Sequence, residues 1–323
     1  MKQILHNHRS IGLALGVTSI ATCGFFYHQH TKHKPLNNHL QQVMQDYGYS
    51  KTQQKALLDL LKTYQVNTTC TARNKQEANQ WLIQTTQKHW LRKGERWSPE
   101  NETLEQRLQA DKSHFLTILE QLGRNQTMTP SPQDIKHHIA AIPGGTKPRV
   151  SMRFNAMIEK INQGTIPTKI IAVTGYRALL PEEAPEITEN RTEAHMIKQT
   201  WYALVKDHPE LAKIPFEISE SKKPEGQARA NTFDTVQKLA KRDDCQNGTL
   251  VVYIEQPFAP RFLSIFSAYM HIPVFIDTKA IDAKQNPLFL WPDEEARRIY
   301  MMSKLPLFQY ENTATVPLPN PSP

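Results

Sequence analysis

The 323-residue sequence has only three cysteines, Cys23, Cys70 and Cys245. None forms a CxxC, so no thiol redox pair and no cysteine zinc site is encoded. Spacing leaves open both a Cys70–Cys245 disulfide in an oxidising compartment and two free thiols. The common catalytic signatures are also missing: there is no GxxxxGK[ST], no GxGxxG, no GxSxG and no HExxH. No RNP-like run or zinc-finger spacing occurs, so no specific nucleic-acid partner is expected. One long uncharged apolar run exists, from Ile11 to Tyr27.

What is present is a basic chain. The formal net charge is +8 and the pI is near 9.2. Such a balance favours anionic partners: phosphate esters, nucleic acid or an acidic lipid surface. Hydrophobic residues make up 39%, enough for a globular core. The mean hydropathy of −0.57 points to a polar helical segment beside that core.

Lys2 and Arg9 precede the run Ile11–Tyr27. A basic stretch before an apolar one is the pattern of an export signal or signal anchor. The run sits at the short edge of a membrane span, and Thr18, Ser19 and Thr22 weaken it. A retained anchor is the first reading. A cleaved signal peptide is the second. A lipoprotein signal ending at Cys23 is the third, with Thr22 where a smaller residue is usual. The stretch "HQHTKHK" reads as a solvated collar, since no acidic or cysteine ligand joins its histidines.

From Leu36 to Met128 the apolar spacing is helical: Ala56, Leu57, Leu60 and Leu61, then Ala78, Leu82 and Ile83, then Leu104, Leu108, Phe115, Leu119 and Leu122. Trp81, Trp90 and Trp97 belong to this helical layer, and "NQTMTPSPQD" reads as the linker that follows it. From Ile135 strand and helix patterns alternate. The expected strands are Ile135–Ile142, Lys169–Val173, Ile214–Ile218, Thr249–Ile254 and Pro273–Asp277. Their apolar runs suit strands covered on both faces. Alternation implies right-handed crossovers and a doubly wound, mostly parallel sheet of the α/β class. The ending "TVPLPNPSP" reads as a proline-rich disordered tail.

In such sheets ligands bind beyond the C-terminal ends of the strands. Those ends carry Gly144, Gly145 and Thr146, then Thr174, Gly175, Tyr176 and Arg177, then Arg229, Asn231 and Thr232, then Glu255, Gln256 and Arg261. Arg153 lies in the helix after the glycine pair, and Arg261 follows Pro260 at a helix start. Several arginines on one rim suggest a bidentate grip on phosphate or carboxylate. The competing reading pairs each with solvent or with a local carboxylate such as Glu193 or Glu255. Asn231 and Asp234 also fit a capping box. Glu182, Glu183, Glu193 and Glu255 are the carboxylates placed to act as bases, with Glu193 and Glu255 the leading catalytic candidates.

The ordered set "IPGG", Arg153 and Ala156, "VTGYR", "TEAHM", "RANTFDT" and "EQPFAPR" resembles the YdcF/SanA/ElyC-like family over Ile135 to Ile276. Carried over by position, the matching residues are Gly144, Gly145, Arg153, Gly175, Thr192, Glu193, Asn231, Thr232, Asp234 and Arg261. Thr235 stands where that family commonly has Asn, and Gln256-Pro257 replaces a polar run. The resemblance implies a Rossmann-like domain, often membrane-anchored, tied to the bacterial envelope and polyprenyl-carrier metabolism. It supplies no reaction and no cofactor. The expected plan is thus a membrane segment and collar over 1–34, a helical region over 35–133, a YdcF-like α/β domain over 134–310 and the tail over 311–323. The expected function is a membrane-anchored envelope protein, facing the periplasm or cell exterior of a bacterium, that binds a small anionic, phosphorylated ligand, either as an enzyme or as a non-catalytic binder.

Overall fold

The computed structural model describes residues 36–92, 99–180, 183–226, 230–278 and 287–305. The apolar run 11–27, Cys23, Trp97, Glu182, Arg229 and the proline-rich tail lie outside the described residues. Among the described residues no helix is long and apolar enough to cross a membrane.

Among the described residues five helices come first: α1 (Asn38–Asp46), α2 (Lys51–Thr63), α3 (Lys75–Trp90), α4 (Pro99–Ala110) and α5 (Lys112–Gln121). Asn37 caps α1, Asn74 caps α3, and Ser50 with Gln53 forms a capping box on α2. These side chains satisfy amides that a helix start leaves without partners. The expected stripes face inward: Leu57, Leu60, Leu61, Leu82, Phe115 and Leu119 are all buried in one apolar cluster.

The α/β part follows as β1 (His138–Pro143), α6 (Lys147–Asn162), β2 (Lys169–Gly175), α7 (Glu193–Asp207), β3 (Phe216–Ser221), α8 (Thr232–Ala240), β4 (Thr249–Tyr253), α9 (Ala259–Tyr269) and β5 (Val274–Asp277). The five strands form one sheet in the order β3-β2-β1-β4-β5. Every pairing is parallel. Strand residues alternate between two cores. Ala140, Ile142, Ile170, Ala172, Val251 and Tyr253 pack with α6 and α7. Ile139, Ala141, Ile171, Val173, Leu250 and Val252 pack with α8 and α9. This two-sided burial is what makes the strands read as uniform apolar runs. The sheet is therefore a Rossmann-like parallel sheet wound on both faces.

Several strand boundaries differ from the sequence expectation, and three of them have a clear local cause or consequence. The first strand starts at His138 rather than Ile135, because Ile135 lies in a turn and its carbonyl accepts from His138 Nδ1 at 2.8 Å. It also runs through Pro143 to the glycine pair. The third strand begins at Phe216 rather than Ile214, since Ile214 is held against Leu211 at the end of a 3-10 turn. Cys70 and Cys245 are both free thiols.

The described chain closes with α10 (Leu290–Lys304), which returns to the helical layer. Leu290, Trp291, Ala296, Ile299 and Met302 share the apolar cluster of α1, α2, α3 and α5. The same helix buries three successive carboxylates, Asp293, Glu294 and Glu295. Each has a cation: Arg297 on Asp293, Arg261 on Glu294, and Arg124 with Arg298 on Glu295.

Candidate functional site

The order β3-β2-β1-β4-β5 reverses between β1 and β4, so the chain leaves these two neighbours toward opposite faces. Such a switch point opens a crevice beyond the strand ends. Pro143 and the turn Gly144-Gly145-Thr146 end one side, and Ile254, Glu255 and Gln256 end the other.

The β1 turn is tightly built. The Gly144 amide donates to the Val173 carbonyl at 2.9 Å, tying the turn to β2. A Cβ on Gly144 would lie 1.9 Å from Glu193 Oε1, so only glycine fits against that carboxylate. A Cβ on Gly145 would lie 3.3 Å from Arg153 Nη1. Thr146 is the N-cap of α6 but its hydroxyl caps nothing, and Pro148 sits in the first turn. Among the described residues, no backbone carbonyl accepts from the amides of Gly145, Thr146 or Lys147.

Arg149 and Arg153 are one helical turn apart on α6 and both reach Glu255 at the end of β4. Arg149 Nη1 donates to Glu255 Oε1 at 2.9 Å. Arg153 Nε donates to Oε2 at 2.7 Å and its Nη2 to Oε1 at 2.9 Å. Arg153 Nη1 donates to the carbonyls of Pro143 and Gly144. The Arg149 guanidinium also lies 4.3 Å from the centre of the Phe258 ring. All three charged residues are buried. Burial alone would raise the Glu255 pKa, but Arg153 and then Arg149 outweigh it and hold the carboxyl below its ordinary value.

A second cluster adjoins the first through Gly144. Thr174 Oγ1, at the end of β2, donates to Glu193 Oε1. Arg177 Nε donates to Glu193 Oε2 at 2.7 Å, and Arg177 Nη1 to Glu183. Glu193 is the first residue of α7. Its amide donates to the Arg177 carbonyl at 2.9 Å, and the Thr192 hydroxyl caps the helix by accepting from His195 N at 3.2 Å.

The third cluster lies at the start of α8. Asn231 Oδ1 accepts from the amides of Phe233 and Asp234, and Asp234 Oδ2 accepts from Asn231 N at 2.8 Å. This is the reciprocal capping box expected from "NTFD". Arg261 Nη1 donates to Thr232 Oγ1 at 2.8 Å and its Nε to Glu294 Oε2 at 2.6 Å. Gly175 connects this cluster to β2, because a Cβ there would lie 2.7 Å from Ala230 Cβ.

The sequence-derived residues therefore fall into three groups. Gly144, Gly145, Arg153 and Glu255 meet at the switch point. Gly144 also meets Glu193, with Arg177 and Thr192 beside it. Asn231, Thr232, Asp234 and Arg261 gather at α8, next to Gly175. Arg153, Arg177 and Arg261 each rest on a carboxylate, which is the pairing alternative to an open guanidinium grip.

Arg149, in the basic stretch that follows the glycine pair and that the sequence offers as a seat for an anion, precedes Arg153 by four positions, the spacing that puts two side chains on one helix face. Two residues of these clusters escaped the sequence reading of the site. Glu294 belongs to α10 and meets Arg261 only in the folded chain. Glu220 lies in β3, in register with Thr174 of β2. Its signal was present in "FEISES": period-two alternation puts Glu220 on the face of Phe216 and Ile218, where an apolar residue is expected. Burial raises the Glu220 pKa; Lys238 opposes this and the nearby Glu193 adds to it. Among the described residues no group of three or more His, Cys, Asp or Glu side chains is arranged to hold a metal ion. Comparison with family models, with curated proteins and with solved structures finds no match to this chain.

Proposed function

We propose that the rim at the β1/β4 switch point binds a small anionic ligand, a phosphate ester or a related phosphorylated compound. The observation that carries this reading is the glycine turn into α6. There the amides of Gly145, Thr146 and Lys147 have no backbone acceptor among the described residues. Consecutive free amides at a helix start suit an anion through hydrogen bonding and the helix dipole. Arg149 and Arg153 add positive potential directly beneath the turn. The wider reading, a YdcF/SanA/ElyC-like protein of the bacterial envelope held to a membrane through segment 11–27, belongs to the same proposal and rests on the ordered motifs.

Binding without turnover is favoured over turnover with Glu255 as the base. Both Glu255 oxygens are occupied by guanidinium donors, and its pKa is lowered, so it serves as a counter-ion. The test is a thermal-stabilisation screen of the full chain with nucleotides, sugar phosphates and prenyl phosphates. A ligand present at a hundred times its Kd should stabilise the fold by about 2.7 kcal/mol. A screen in which no phosphorylated compound raises the melting temperature would remove the anion-site reading.

A further inference from the structure

Glu220 lies on the strand next to the contacts Gly144–Glu193–Thr174. Parallel register places Glu220 opposite Thr174, whose hydroxyl is already committed to Glu193. Glu220 is the penultimate residue of β3, at the same end of the sheet as the glycine turn. Its Oε1 is closed off from solvent and has no hydrogen-bond partner among the described residues. A charged carboxylate in that state costs far more than the neutral carboxylic acid, whose O–H is a donor still lacking an acceptor. The charged groups around it are Glu193 on α7, held by Arg177, and Lys238 on α8. The Lys238 Nζ donates to the Glu220 carbonyl oxygen at 2.6 Å. Glu193 and Glu220 are thus an unequal pair: one has its donors supplied, the other does not.

We propose that Glu220 is the proton-carrying donor of the rim site. A ligand oxygen at the rim takes a hydrogen bond from the Glu220 carboxylic acid, so that anion binding draws a proton onto Glu220. This rests on the anion-site reading and gives it a regulation: the site fills as pH falls. The sign follows from linkage. The bound state holds the proton more tightly than the free state, so affinity is full below the free-state pKa of Glu220. It then falls, by up to tenfold per pH unit for one proton, until the bound-state pKa is passed.

The experiment titrates inorganic sulfate, an anion of constant charge, into the full chain between pH about 5 and about 8. Wild-type affinity should fall as pH rises. Glu220→Gln keeps a permanent N–H donor, so it should bind with a flat pH profile and exceed the wild type at the basic end. Glu220→Ala should bind roughly ten- to hundredfold more weakly than the wild type at the acidic end. His195 lies in the first turn of α7, so the Gln profile is what assigns the proton. In a His195→Gln background, calorimetry in two buffers of unlike ionisation heat counts the proton directly. Retention of the wild-type slope by Glu220→Gln, or uptake of no proton in the His195→Gln background, overturns the role of Glu220 while leaving the anion site standing. Failure of the wild type to bind sulfate at any pH overturns both.

Discussion

Removing Arg153 tests whether the rim arginines are built into the fold. The residue is 3% exposed and spends all three guanidinium nitrogens on Glu255, Pro143 and Gly144. Arg153→Ala leaves Glu255 buried with Arg149 as its remaining cation among the described residues. Breaking a buried pair from one side costs about 3–5 kcal/mol, and the second arginine places this case near about 3 kcal/mol. For a domain of 150–250 residues each kcal/mol is worth about 2–4 °C, so the melting temperature should drop by roughly 6–12 °C. A solvated surface arginine would change stability by no more than about 0.5 kcal/mol. The loss should also depend on pH. Glu255 has a depressed folded-state pKa, so its stabilising contribution exists above the unfolded value of about 4.3 and disappears as pH falls through the folded value. The gap between wild type and variant should therefore narrow on acidification. Differential scanning calorimetry and urea midpoints across pH measure both effects. A loss below about 0.5 kcal/mol at neutral pH would refute the buried-pair argument.

Gly144→Ala should destabilise by about 1–3 kcal/mol, because its Cβ would meet Glu193 Oε1 at 1.9 Å. Adding Glu193→Ala should recover part of that loss in a thermal melt, as a double-mutant cycle for touching residues requires. Glu295→Gln should cost about 3–5 kcal/mol by urea denaturation, since Arg124, Arg298 and Tyr49 all converge on that carboxylate. Burial would raise the Glu295 pKa, but Arg124 and Arg298 pull it down to about 2. Its contribution should therefore persist above the unfolded value of about 4.3 and be lost as pH falls toward the folded value, seen as a variant-specific difference in acid unfolding. The full chain should sediment with membranes through segment 11–27, whereas a chain starting at Pro35 should remain in the supernatant; equal partitioning of the two argues against an anchor.

The strands were readable where both faces are apolar. Lys169–Val173 and Thr249–Ile254 stand out for that reason, and both appear within a residue or two of their expected limits. β3 was harder to place because Glu217, Ser219, Glu220 and Ser221 break its apolar character on both faces. Caps were legible from local chemistry, as Asn231 with Asp234 demonstrates. The partners of the arginines were not. Arg261 and Glu294 lie 33 positions apart, and Arg153 and Glu255 lie 102 apart. Those pairings are set by strand order, which no local pattern encodes. The same holds for α10. Its amphipathic stripe announces a helix but not which of the three apolar clusters the helix will join.

That last helix has a consequence for how the chain assembles. Tyr49 meets Glu295 across 246 positions, and the Arg92 amide meets Asp293 across 201. α1–α5 therefore emerge from the ribosome long before the segment that covers their apolar face. Closing so long a loop raises the entropic barrier, so the helical layer should be the late-forming part of the molecule. Until α10 docks, the apolar cluster of the helical layer lacks Leu290, Trp291, Ala296, Ile299 and Met302, and Arg261 has no Glu294. A nascent or truncated chain lacking α10 is accordingly a client for chaperones rather than a smaller working protein. The two ends of the described chain fold as one piece, although the sheet between them could be drawn without either.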